Sequence, residues 1–222
     1  MSARPQPLII FGAGGHAREI ANIVADINCQ AGPTWELLGF VADYPPARPD
    51  SLPGPWLGSP EAIRQWPAAW LFIAVGDPGG RRAVVDRLLG EYPAARFATL
   101  VHPSVWLGAG VRIGAGSVIF PGCQISVDVE LGRHVTLNLA CTVSHDGCLG
   151  DYASLGPGVH LAGAVTVGEG ADLGAGVIAR PMSRIGARAT VGAGGVVVHA
   201  IPDDTVAVGI PARARQLKDV QT

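Results

Sequence analysis

From Val101 onward the chain keeps a period of six that neither an α-helix nor an alternating strand sustains. Counting by sixes from Val101 to Val197 gives seventeen positions, and sixteen of them are Val, Ile or Leu, with Ala179 the exception. Two residues before each stands a small or β-branched side chain, as at Val105, Ser117, Cys123, Val135 and Cys141. One residue after, glycine recurs, as in Leu107-Gly108, Leu131-Gly132, Leu149-Gly150 and Val167-Gly168. Such a unit is a short flat strand with two inward side chains, ended by a tight corner. Glycine beside the aliphatic residue suits corners that need unusual backbone angles. Three sides make a coil of eighteen residues, so the run holds about five and a half coils. At a strand spacing of roughly 4.8 Å they stack into a prism about 25 Å long. A β-sandwich would instead show turn signals every ~8–12 residues. The sequence therefore predicts a parallel β-helix over residues 101–222, ending in a short tail.

The first hundred residues obey a different rule. Leu8-Ile9-Ile10-Phe11 reads as a buried strand, Gly12-Ala13-Gly14-Gly15-His16 as a tight turn, and Ile20, Ile23, Val24 and Ile27 recur at helical spacing. A strand near Leu37–Val41, a helix near 60–65, a strand at Trp70–Val75 and a helix at 81–89 follow, with a proline-rich loop from Tyr44 to Pro55. Alternating strands and helices predict an α/β domain over residues 1–100, a half-Rossmann-like parallel sheet. Gly12-x-Gly14-x-x-Ala17 formally matches a dinucleotide fingerprint. Its physics is general: backbone N–H groups at a helix N-terminus attract phosphate, and glycine lets the phosphate come close. No second nucleotide half follows, which argues against a nicotinamide cofactor. A sugar nucleotide also carries a diphosphate.

Composition narrows the function. With 48% hydrophobic and 15% charged residues the chain can bury a core, and a net charge of −2 gives no footprint for nucleic acid or an anionic membrane. No apolar run approaches the roughly 18 residues of a membrane span. The start, MSARPQPLIIFGAGG, lacks the pattern of a secretory signal. Cys29, Cys123, Cys141 and Cys148 show no CxxC spacing and read as buried thiols in a reducing cytoplasm. Among six histidines none is spaced as a metal ligand, so no metal is expected.

The [Ile/Leu/Val]-Gly-x4 run resembles the hexapeptide-repeat acyltransferases. The end agrees, because Val208-Gly209-Ile210-Pro211-Ala212-Arg213 resembles the segment that closes their β-helix. The Gly-x-x-Gly-His turn, Gly39-Phe40-x-x-Asp43, and Val75-Gly76-Asp77 with Arg81 and Arg82 are similar to one subfamily over essentially the whole chain. It is the sialic-acid O-acetyltransferase-like and nucleotide-linked aminosugar N-acetyltransferase group. The resemblance implies a left-handed β-helix, a homotrimer with active sites between subunits, acetyl-CoA as co-substrate and a nucleotide-linked sugar as acceptor. It places Gly12, Gly14 and Gly15 near phosphate, His16 against phosphate or the sugar, Asp43 near the base, and Gly76 and Asp77 in the same substrate site. Many members have two acidic residues where this chain has Ala42-Asp43, so the choice among uracil, guanine and thymine stays open.

Acetyl transfer from a thioester needs a nucleophile freed of its proton, and a histidine held by a carboxylate suits that task. Only His145 is followed directly by an acid, Asp146. Falling two residues after an inward Val143, it should lie outside the core near a corner. Asn138 to Asp146 also resembles the family's Asn-x-x-x-x-Val-x-His-Asp motif, which implies His145 as general base and Asp146 as its partner. Nine residues on, where many members carry a second histidine against the acetyl group, this chain has Ser154. The same resemblance implies Gly163, Gly195, Gly209 and Pro211 along the coenzyme groove. The expected activity is N-acetylation of a UDP-, GDP- or dTDP-linked amino sugar. O-acetylation uses the same base, and a non-enzymatic nucleotide-sugar sensor is the alternative from another class.

Overall fold

Residues 4–215 are described in the computed structural model of this chain, so part of the expected C-terminal tail lies outside them. Two compact units share the chain. One ends at Gly76 and resumes over Gly80–Pro103; the other takes Asp77–Gly79 and the chain from Ser104 on. The break falls after Pro103 because the preceding residues belong with the first unit. Leu100 is fully buried, and His102 Nε2 lies 3.2 Å from Asp26 Oδ2.

In the α/β unit, β1 (Gln6–Phe11) lies at the centre of a parallel sheet, its Leu8-Ile9-Ile10 fully buried. A strand covered on both faces has no use for alternation, and the sequence shows none. β2 (Trp35–Val41) pairs on one side and β4 (Trp70–Ile73) on the other. β3 (Trp56–Gly58) and β5 (Arg96–Phe97) extend the sheet to the order β3-β2-β1-β4-β5. Helix α1 (Gly15–Ala31) buries Ala17, Ile20, Ala21, Ile23 and Val24, the face its helical spacing marked. Helix α2 is Pro78–Glu91. The expected helix at 60–65 is a 3-10 helix, Pro60–Gln65: six residues between a proline and the next loop are too few for stable α-turns. The proline-rich loop holds a 3-10 turn at Pro49–Ser51. β3 and β5 were not marked by periodicity, being only three and two residues long.

From Ser104 the chain winds as a three-sided, left-handed parallel β-helix. One face stacks Trp106–Leu107, Gln124–Ile125, Thr142–Val143, His160–Leu161, Ile178–Ala179 and Val196–Val197. The second runs from Arg112–Ile113 to Arg184–Ile185, and the third carries Val118–Ile119, Thr136–Leu137, Ser154–Leu155, Asp172–Leu173 and Thr190–Val191. Every pairing among these strands joins residues eighteen apart, as Thr142 with His160. Ile125, Leu137, Val143, Leu155, Leu161 and Leu173 point inward, with Cys123, Val135, Cys141, Ala153 and Val159 filling the narrower places. The Cys123 and Cys141 thiols donate to the Asn138 and Gly156 carbonyls at 3.0 and 3.2 Å. Cys29 and Cys148 are exposed, correcting the expectation that all four are buried; Cys148 takes an outward strand position.

The corners differ from their sequence reading in one respect. Every sixth residue from Gly110 to Gly194 has a positive φ, three positions after the inward aliphatic residue rather than one. The glycine directly after the aliphatic residue answers to packing instead. A Cβ on Gly150 would lie 2.6 Å from Glu169 N of the next coil.

Candidate active site

The β1–α1 turn is set by two backbone hydrogen bonds. Gly12 N–H donates to Val41 O at 2.8 Å, and Ala74 N–H donates to Phe11 O at 2.7 Å. Gly12 sits at φ +122 with Ala74 O 2.8 Å from where a Cβ would be, so only glycine fits. Gly14 caps α1 without a side chain across its first N–H groups, and the first turn holds no acid. Those donors and the helix dipole favour an anion. They open on a cleft of about 400 Å³ whose rim includes Gly14, Gly15, Arg18, Asp43, Tyr44, Arg48 and Ser51.

Of the expected substrate residues, Gly14, Gly15 and Asp43 line this cleft, while Gly12 shapes the turn behind it. Asp43 is engaged already: its Oδ1 and Oδ2 lie 2.8 and 3.2 Å from Arg87 Nη2, and that guanidinium stands 5.6 Å from the centre of the Phe11 ring. Gly76 serves another purpose. Its carbonyl and that of Val75 accept from buried Arg81 at 3.0 and 2.9 Å. Asp77 precedes α2, its Oδ2 3.4 Å from where a Cβ on Gly79 would stand. Arg18, Tyr44 and Arg48 were not singled out from the sequence. Arg18 lies four residues after Gly14 and so shares its helix face, a spacing that was available. Arg48 and Tyr44 depend on the path of an irregular loop.

His16 is in the first turn of α1 and mostly buried, its Nδ1 3.4 Å from Glu19 Oε2. Burial pushes its pKa below the ordinary 6.5, outweighing Glu19, which pulls the other way. The folded state therefore holds the ring neutral while the unfolded chain takes up a proton near pH 6.5. This contribution is fully present above that pH and declines as pH falls toward the lowered folded value. His16→Gln should flatten the loss of melting temperature between pH 7 and 5; an unchanged slope would refute the assignment.

On the β-helix, His145 and Asp146 occupy the corner after Thr142–Val143. Adjacent strand residues would diverge, but Asp146 has φ +59, and this turn brings both side chains to the outside. His145 Nδ1 lies 2.7 Å from Asp146 Oδ2, with the two side chains 60% and 63% exposed. An ionised carboxylate only accepts, so Nδ1 carries the proton and Nε2 keeps its lone pair. One coil on, Gly163 lies against the same ring, a Cβ there falling 2.6 Å from Nε2. Three of the expected residues are thus brought together.

The others are elsewhere. Ser154 is buried on the third face, opposite this corner of the prism. Gly195 packs on its own corner, where a Cβ would come within 2.9 Å of Gly192 O and Val191 Cγ1. Gly209 and Pro211 flank a cis Ile210–Pro211 bond, and their segment hydrogen-bonds to the last strand of the first face through Gly209 O and Ala212 N. His160 stands on a strand, its Nδ1 2.9 Å from Thr142 Oγ1. His134 is buried and stacked on Tyr152. Among the described residues no group of three or more His, Cys, Asp or Glu is placed to hold a metal, and no helix is long and apolar enough to cross a membrane.

The family model of the PglD N-terminal domain matches residues 7–88. PerB from Caulobacter crescentus, solved with CoA and GDP-perosamine, is 33% identical with a TM-score of 0.83, over 97% of this chain and all of PerB. This chain belongs to the hexapeptide-repeat acyltransferases of the sialic-acid O-acetyltransferase-like and nucleotide-linked aminosugar N-acetyltransferase group. The acyltransferase also matches the acetyltransferase domain of PglB from Neisseria gonorrhoeae, solved with acetyl coenzyme A. That likeness is 28% identity and a TM-score of 0.86, over 95% of this chain and all of that one. WeeI from Acinetobacter baumannii shares the fold, at 22% identity and a TM-score of 0.74 over 95% of this chain and all of WeeI. No curated protein matches the acyltransferase.

Proposed function

We propose that this acyltransferase moves an acetyl group from acetyl-CoA to the amino group of a nucleotide-linked amino sugar, with His145 as general base. The observation that carries the reading is the 2.7 Å His145–Asp146 hydrogen bond on an exposed corner, which leaves Nε2 as the acceptor. As the amine nitrogen attacks the thioester carbonyl, Nε2 takes its proton. The tetrahedral intermediate then collapses, the C–S bond breaks, and the thiolate leaves with the amide formed. Asp146 fixes the tautomer and stabilises the imidazolium between those events. Two relatives support the substrates: PglB was solved with acetyl coenzyme A and PerB with CoA and GDP-perosamine.

The α/β unit is proposed to hold the nucleotide. Its cleft offers the α1 N-terminus, Arg18 and Arg48 to a diphosphate, while Tyr44 is exposed at the rim as a platform for the base. Arg18→Ala and Arg48→Ala are each expected to raise KM for the sugar nucleotide about ten- to a hundredfold, given roughly 1.5–3 kcal/mol for a hydrogen bond to a charged group. KM for acetyl-CoA should stay within about twofold. An unchanged KM for the sugar nucleotide would remove the cleft from the reading.

A trimer with the reaction between subunits belongs to the same proposal. Trp106 and Ile178 stand outward and exposed on the face that leads into the His145 corner, and Met182 and Val127 are exposed on that corner itself. Covering them with another copy would bury apolar surface and exclude water around Nε2. Sedimentation equilibrium tests this directly. The setting proposed is cytoplasmic synthesis of precursors for surface polysaccharide.

The deciding assay is CoA release from acetyl-CoA against UDP-, GDP- and dTDP-linked 4-amino sugars and their 4-hydroxy analogues. Turnover restricted to amines supports N-acetylation, and turnover on the hydroxy analogues would replace it by O-acetylation. Failure to bind acetyl-CoA would leave the sensor.

A further inference from the structure

We infer that Gly163 is a positioning residue whose bare α-carbon seats the His145 imidazole. This rests on His145 being the general base. The two residues are eighteen apart and therefore occupy the same corner on successive coils. A Cβ on Gly163 would stand 2.6 Å from His145 Nε2, 2.7 Å from Cε1 and 3.3 Å from Cδ2. Its nearest neighbours are all atoms of one imidazole, so the ring lies over the bare α-carbon. The opposite edge of the ring is tied at Nδ1 to Asp146 at 2.7 Å. The backbones cannot slide apart to make room, because Ala164 N–H donates to His145 O at 2.8 Å and Met182 N–H to Gly163 O at 2.9 Å. A methyl group at 163 must therefore be accommodated by turning the ring. That turn breaks the Nδ1–Asp146 bond or moves the Nε2 lone pair off line, and the methyl covers the atom that takes the proton.

Other glycines of the β-helix answer to a different constraint. At Gly150 the intruding Cβ would meet Glu169 N at 2.6 Å and Glu169 Cα at 2.9 Å. Backbone there is held in the ladder and cannot yield, so substitution strains the fold. At Gly163 the obstacle is the mobile end of an exposed side chain, so substitution leaves the fold and loses the geometry. The two positions should separate activity from stability.

The experiment compares G163A, H145A, the double variant and G150A in the full-length protein. It uses acetyl-CoA and the acceptor with the highest turnover in the panel above. G163A is expected to lower kcat about ten- to a hundredfold, part of the general-base contribution. KM for acetyl-CoA should stay within about threefold and the melting temperature near wild type. G150A should lower the melting temperature and leave kcat per folded molecule intact. The double variant should be no slower than H145A, because a residue acting through a ring has nothing left to act on. Long-range proton–nitrogen NMR of the imidazole gives an activity-free readout, expected to show the Nδ1–H tautomer in wild type and its loss in G163A. A wild-type kcat in G163A overturns the inference, as does a loss confined to KM for acetyl-CoA or one that adds fully to that of H145A. The last two would make Gly163 a wall of the coenzyme groove. A wild-type rate in H145A would instead sink the base assignment itself, whatever G163A shows.

Discussion

Replacing His145 by alanine should lower kcat by about two to four decades, the range of a positioned general base, and leave the fold untouched. The second half of this expectation follows from where the residue stands. His145 projects from a corner, more than half exposed, and its hydrogen-bond partner Asp146 is equally exposed, so truncation opens no cavity and strands no buried charge. The inward residues on either side, Val143 and Leu149, keep their contacts. Melting temperature and assembly state are the controls. Asp146→Ala should cost less than H145A, since it removes the hold on the tautomer but leaves the base. His160→Ala is the contrasting variant. That ring is also exposed, but its Nδ1 partner is the Thr142 hydroxyl and not a carboxylate, so turnover should stay close to wild type. Wild-type turnover in H145A, or equal losses in H145A and H160A, would end the assignment.

How far the sequence disclosed this site depended on which force set each residue. The inward row from Val101 to Val197 was legible because burial selects aliphatic side chains, and a coil of eighteen residues repeats that demand three times. The left-handed corners were not legible. Eight of the fifteen residues with positive φ from Gly110 to Gly194 are not glycine, among them Tyr152, Met182 and Arg188. Their conformation is imposed by ladder hydrogen bonds on both sides of the corner, which outweigh a cost of roughly 1–2 kcal/mol each. The His145–Asp146 pair stood out by adjacency, yet adjacency became contact only because Asp146 takes one of those corner conformations. Gly163 was in register with His145 from the period alone, whereas nothing in the sequence said the ring would lie over it. In the α/β unit the glycine turn was plain. Arg48 and Tyr44 were not, because a loop of prolines leaves no periodic trace. Asp43 was visible as an acid after the second strand, but its grip by Arg87, forty-four residues later, is a tertiary fact.

The same one-dimensional architecture makes a strong prediction about stability. Leu155 is inward on the third face, 1% exposed, with Leu137 and Leu173 directly below and above it in register. Leu155→Ala should cost about 2–5 kcal/mol, the transfer term plus the cavity that a rigid prism cannot close. The coil wall is backbone in a continuous ladder, so it yields less than a helix bundle would. Each coil touches only its neighbours, and a weak layer in the middle separates two stacks that were stable as one. The same truncation at Val197, in the last strand of its face, should cost less, since fewer carbons are removed and only one stack depends on it. The chain itself carries a small residue in this row at Ala179, between Leu161 and Val197, which shows one reduced layer is tolerated near the C-terminal end. Denaturant unfolding of L155A and V197A checks both values. An unchanged midpoint for L155A, or a larger loss at Val197 than at Leu155, would contradict the stacked-layer account. Activity per folded molecule should survive in L155A, because His145, Asp146 and Gly163 sit on the corner opposite its face and depend on register, which the remaining ladder keeps.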